Sequence, residues 1–81
     1  MTEQNLNQII GKNIKRYRIL YSIDKESLPQ SKLAESIGVS TSLISSMESP
    51  NINQGISIYN LYKISEYLGV SIDKFFEQKA S

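Results

Sequence analysis

A chain of 81 residues, 40% hydrophobic and 21% charged, has the composition of one small globular domain spanning residues 1–81 rather than of a disordered segment. At that size a single core buries only about 60% of the surface the unfolded chain exposes, so pairing with a second copy would add stability. The absence of Cys and His removes disulfides, thiolate metal sites and the commonest general base, so neither a metal nor a cofactor is expected.

No apolar run approaches the roughly 20 residues that cross a bilayer, and Met1-Thr2-Glu3-Gln4-Asn5 lacks the basic and apolar regions of a signal peptide, so a cytoplasmic address is expected. The net charge of +1 is small but unevenly spread. Residues 1–33 carry six bases against three acids, the remainder three bases against five acids, and no Lys or Arg stands between Lys32 and Lys63.

Leu6, Ile10, Ile14, Tyr17 and Tyr21 recur at helical spacing and predict a first helix with one apolar stripe. Lys12, Lys15 and Arg16 lie on its opposite side, which is either a solvated face or, for Lys15 and Arg16, a phosphate-contacting one. The periodicity lapses from Ser22 to Leu28. Ser27-Leu28-Pro29-Gln30 then reads as a capping box, with Ser27 the N-cap and Gln30 the third helical residue, so a second helix starts near residue 28.

Leu33, Ala34 and Ile37 are the apolar positions of that helix, and Gly38 suits the left-handed conformation that ends it. Ser40 is the N-cap of a short third helix with Leu43, Ile44 and Met47 on its inner side, ending before Pro50. Residues 49–55 read as a loop. Ser57 caps a fourth helix with Ile58, Leu61, Ile64 and Leu68, and Ser71 caps a fifth with Ile72, Phe75 and Phe76.

Two helices joined by a three-residue turn at about residues 28–48 are a helix-turn-helix. Ala34 is small enough for a close crossing, Gly38 permits the turn, and Leu33, Ile37, Val39, Ile44 and Met47 anchor both helices. The outward face of the second is then free to enter a major groove.

These segments, with Ile10-Gly11-Lys12-Asn13-Ile14-Lys15-Arg16 before them and Ile56-Ser57-Ile58 through Phe75-Phe76 after, resemble the Cro and phage-repressor (Xre-like) helix-turn-helix family over roughly residues 9–77. The compact length is similar to the controller proteins of restriction-modification systems and to small plasmid or phage repressors. The resemblance implies an all-α, five-helix, lambda-repressor-like DNA-binding domain that acts as a homodimer on a palindromic operator in double-stranded DNA and regulates transcription.

The resemblance also implies roles. Thr41, Ser42, Leu43, Ser45 and Ser46 would read base edges, Leu43 through a thymine methyl. Gln30, Ser31, Lys15, Arg16, Asn51 and Asn53 would contact phosphates. Arg18 would pair with Glu48 as a structural element. The dimer surface is expected at Tyr67, Ile72, Phe75 and Phe76, which exceed what so short a last helix buries; the alternative is that the two phenylalanines close the core.

The sequence departs from the family pattern in three ways. About five extra residues separate Arg18 from Gln30, Pro29 replaces a small capping residue, and the third helix carries no base. Ser and Thr discriminate bases weakly, whereas an Arg bidentate to guanine supplies about 1–3 kcal/mol. That absence motivates a second reading, a helix-turn-helix that binds another protein, as an antitoxin or anti-repressor would. No nucleophile–base pair and no Gly-rich phosphate loop support an enzyme or a small-molecule substrate.

Overall fold

The computed structural model describes residues 1–50 and 55–78. Among these, four α-helices form: α1 (Glu3–Asp24), α2 (Gln30–Ile37), α3 (Thr41–Glu48) and α4 (Ile58–Leu68), followed by a 3-10 turn at Ile72–Phe76, with no strand. The architecture is all-α as expected, with four helices rather than five. Ser71 does not cap the last segment; its hydroxyl donates to the Asp73 carboxylate and holds that carboxyl below its ordinary pKa. Uncapped and only five residues long, Ile72–Phe76 takes the tighter 3-10 form set by the packing of Phe75.

Thr2 nucleates α1 in a reciprocal capping box with Asn5: the Asn5 N–H donates to Thr2 Oγ1 at 3.1 Å, and the Thr2 N–H donates to Asn5 Oδ1 at 3.3 Å. The extra residues before α2 extend α1 to Asp24, and the chain then returns through residues 25–29.

The expected capping box at Ser27 does not form. Leu28 precedes a proline, and the proline ring disfavours the helical region for the residue before it. Pro29 is instead the N-cap, extended at φ −69 and ψ 166, with no side-chain cap. Leu28 turns into the core with 1% exposure, its N–H bonded to Ser22 Oγ at 2.9 Å and its carbonyl accepting from Arg18 Nη1 at 3.0 Å.

The end of α2 follows expectation. Gly38 sits at φ 75, a conformation costly for a side-chain-bearing residue, and the Val39 N–H reaches back to the Ala34 carbonyl at 2.9 Å. Lys63 of α4 donates to the Ile37 carbonyl at 2.8 Å, satisfying another orphan acceptor there.

Ile10 and Ile14 of α1, Leu33, Ala34 and Ile37 of α2, Ile44 and Met47 of α3, and Leu61, Ile64 and Leu68 of α4 close on Leu28 and Phe75 to form the core. Leu6, Tyr17, Tyr21, Val39 and Leu43 pack at its margin. Phe75 is fully buried, edge-on to Tyr17 with ring centroids 5.5 Å apart, and Tyr67 stacks on Tyr21 at 5.7 Å. The expectation that Phe75 belongs to a dimer surface is therefore corrected: its ring closes the core, and of that group only Phe76 is exposed, at 39%.

Buried Asn13 holds the C-terminal turn to α1. Its Nδ2 donates to the carbonyls of Phe75 at 2.7 Å and Glu77 at 2.9 Å. Asn13→Leu keeps the branched shape and strips both carbonyls of a donor, so about 1–3 kcal/mol of stability should be lost. Urea unfolding measures this; an unchanged midpoint would mean that Phe75 packing alone secures the turn.

Candidate nucleic-acid interface

Helix α3 divides cleanly between anchor and surface. Ser40 caps it by accepting from the Leu43 N–H at 3.1 Å. Ile44, Met47 and Glu48 are buried, whereas Thr41, Ser42 and Ser45 are exposed and Ser46 is half-buried. The structure thus brings four hydroxyls onto the outer side of one short helix. Leu43, half-buried, packs against the core at the margin of that face.

The anchor beneath α3 is a buried polar network. Glu48, with a side chain 2% exposed, accepts from Arg18 Nε at 2.8 Å, from Arg18 Nη2 at 3.0 Å and from Gln30 Nε2 at 2.9 Å. The expected Arg18–Glu48 pair is present and bidentate, the geometry in which a guanidinium is strongest. Gln30 was expected at a phosphate; its side chain instead gives an N–H to Glu48, tying the start of α2 to the end of α3. No sequence pattern singled out that bond.

Gly11 was also not foreseen as a contact residue. A Cβ built there would lie 2.0 Å from the Met47 carbonyl oxygen, so α1 and α3 touch backbone to backbone. The close backbone approach between helices thus falls at Gly11, while Ala34 is buried in the core.

Gln8, Gly11, Lys15 and Arg18 recur at three, four and three residues and therefore share one edge of α1. Three of them meet α3 or its end: Gln8 Nε2 donates to the Pro50 carbonyl at 3.1 Å, Gly11 abuts Met47, and Arg18 binds Glu48. Exposed Lys15 lies on that edge, between Gly11 and Arg18. Arg16, also exposed, is about 160° around the helix from Arg18 and leans over the Tyr17 ring at 5.6 Å, so the structure does not bring it together with Lys15 on the edge that meets α3.

Ser31 is exposed in the first turn of α2, where no side chain caps the helix. Asn51 and Asn53, expected at phosphates, lie outside the described residues. Lys32 pairs with Glu26 at 3.2 Å across an exposed loop.

No curated protein matches the chain. A family model described as Helix-turn-helix matches residues 14–75, from the middle of α1 through the turn that buries Phe75, and the chain belongs to the Cro/Xre-like helix-turn-helix family.

Proposed function

We propose that this DNA-binding regulator acts in the cytoplasm as a homodimer on a two-fold symmetric operator, reading base edges with Thr41, Ser42, Ser45 and Ser46. The observation that carries the reading is the division of α3, whose outer hydroxyls are free while Ile44, Met47 and Glu48 fix it from below. Lys15 and the N–H groups of Gln30 and Ser31 at the uncapped start of α2 flank that helix as phosphate contacts. Hydroxyls bond to any base, so much of the specificity comes from DNA shape and from the spacing of two recognition helices one turn, about 34 Å, apart.

Thr41→Ala and Ser42→Ala should each weaken specific binding by about 0.5–1.5 kcal/mol, or roughly twofold to tenfold. Binding to random DNA and the melting temperature should barely move, because both side chains are exposed. Gel shifts on an operator selected from random fragments supply the measurement; an equal loss on random DNA would remove these residues from base reading.

The second reading, a protein-binding module of antitoxin or anti-repressor type, draws on one observation: α3 carries no cation, and Lys32, the cation of α2, is paired with Glu26. Salt dependence separates the two. DNA affinity should fall steeply with salt, by about 0.9 in log–log slope for each neutralised phosphate, whereas a protein complex without phosphates has no such term.

A further inference from the structure

Three large side chains on the last turns of α1 are exposed to a degree that the core does not explain: Ile19 at 43%, Leu20 at 41% and Ile23 at 73%. Leu20 faces away from the α3 edge of α1, Ile19 follows Lys15 by one turn and Ile23 lies between the two, and all three coincide with the extension of the helix to Asp24. A contiguous exposed apolar patch of this kind marks an interaction surface.

The charges around the patch identify its occupant. Arg16, Leu20 and Asp24 recur every four residues and form one row along the helix, with Ile19 and Ile23 beside it. Arg16 and Asp24 are both exposed, and neither forms an ion pair among the described residues. The row is basic at its N-terminal end, apolar at its centre and acidic at its C-terminal end. Turned end for end, it is its own complement.

We propose that two copies of this chain pair through α1 in antiparallel fashion, Leu20 on the partner's Leu20, with Arg16 of each beside Asp24 of the other. The contact is isologous, as a two-fold dimer requires. This surface replaces the C-terminal turn as the site of pairing, and it rests on the homodimer reading above. Leu20, the centre of the paired row, is about 140° around the helix from Lys15, so Lys15 itself stays outside the row.

A rival apolar face exists on α4, where Ile58, Tyr59 and Tyr62 are exposed at 69%, 69% and 52%. It lacks self-complementary charge. Glu66 is exposed there, but Lys63, the cation of that helix, is committed to the Ile37 carbonyl at 2.8 Å, whereas Arg16 has only its contact with the Tyr17 ring.

Sedimentation of the full chain without DNA tests the pairing directly. The wild-type protein should be dimeric at tens of micromolar, and Ile23→Glu should be monomeric yet keep its helical circular dichroism spectrum, since that side chain is 73% exposed in the single chain. Arg16→Asp and Asp24→Arg should each raise the dimer dissociation constant about tenfold, and the doubly exchanged protein should recover most of the loss.

A monomeric wild type, a dimer indifferent to Ile23→Glu, or a Tyr62→Glu variant that alone dissociates would each overturn the assignment. So would failure of the double exchange to restore pairing. The DNA reading fails by a different result, a sedimenting dimer that binds no duplex at any salt concentration.

Discussion

Gly11→Ala should destabilise the protein by about 3 kcal/mol, lowering the melting temperature by roughly 12–24 °C. The sign is not obvious from the helix alone. In the interior of an isolated helix, Ala is better than Gly by about 0.5–1 kcal/mol, so intrinsic propensity favours the substitution. Packing opposes it more strongly, because the new methyl would sit 2.0 Å from the Met47 backbone oxygen, and a backbone oxygen cannot swing aside as a side-chain tip can.

To admit the methyl, α3 must move off α1 and take the Arg18–Glu48 contact with it. Gly55→Ala is the control: nothing lies within 4 Å of a Cβ there, and its φ is not positive, so stability should stay constant or rise by up to about 1 kcal/mol. Thermal unfolding of both variants by circular dichroism decides. Equal melting temperatures for Gly11→Ala and the wild type would contradict the backbone contact.

Removing Glu48 should be at least as damaging. Glu48→Ala leaves Arg18, whose side chain is 12% exposed, as an uncompensated cation and leaves the Gln30 amide without its acceptor, for an expected loss of about 3–5 kcal/mol. Arg18→Ala should cost a similar amount from the other side, since the Glu48 carboxylate is 2% exposed and has lost its bidentate partner. In such a network the two losses are not additive. The double variant Arg18→Met, Glu48→Leu should recover most of the stability of either single change, because apolar replacements of similar volume remove both desolvation costs together. Denaturant titrations of the wild type, Arg18→Met, Glu48→Leu and the double variant give the coupling, and additive losses would show that the pair is not a unit.

Both predictions bear on function through α3. Helix α3 is eight residues long, too short to persist in water by itself, and its own buried side chains are few. Its orientation relies on contacts from α1 and α2: the Gly11–Met47 approach, the Arg18–Glu48 bridge and the Gln30 amide. The bridge and the exposed hydroxyl face were legible in the residues, the bridge through family resemblance and the hydroxyls also through their spacing. The Gln30 bond was not, because a glutamine beside a helix start has two equally good uses and only proximity to Glu48 selects one.

Local signals were reliable wherever the deciding physics was local. Ser40 and Ser57 cap their helices through their own hydroxyls, and Gly38 and Gly69 end α2 and α4 in the left-handed conformation. Apolar residues at helical spacing gave the inner face of α2 and, in α4, Leu61, Ile64 and Leu68 correctly, whereas Ile58, expected with them, is 69% exposed. Ser27 failed as a cap because a neighbouring constraint was stronger: Pro29 kept Leu28 out of the helix, and the core took Leu28 in.

What the amino-acid order determined by itself is the all-α class, the helix-turn-helix and the family, since periodicity, caps and turn residues act over a few positions. What only the tertiary structure decided is how far apart the elements sit and which groups meet across them. Gly11 against Met47, Asn13 holding the last carbonyls, Phe75 inside rather than outside, and Arg16 facing away from α3 all depend on chain segments tens of residues apart. Such contacts are set by the packing of a whole core, in which each side chain's place depends on all the others at once.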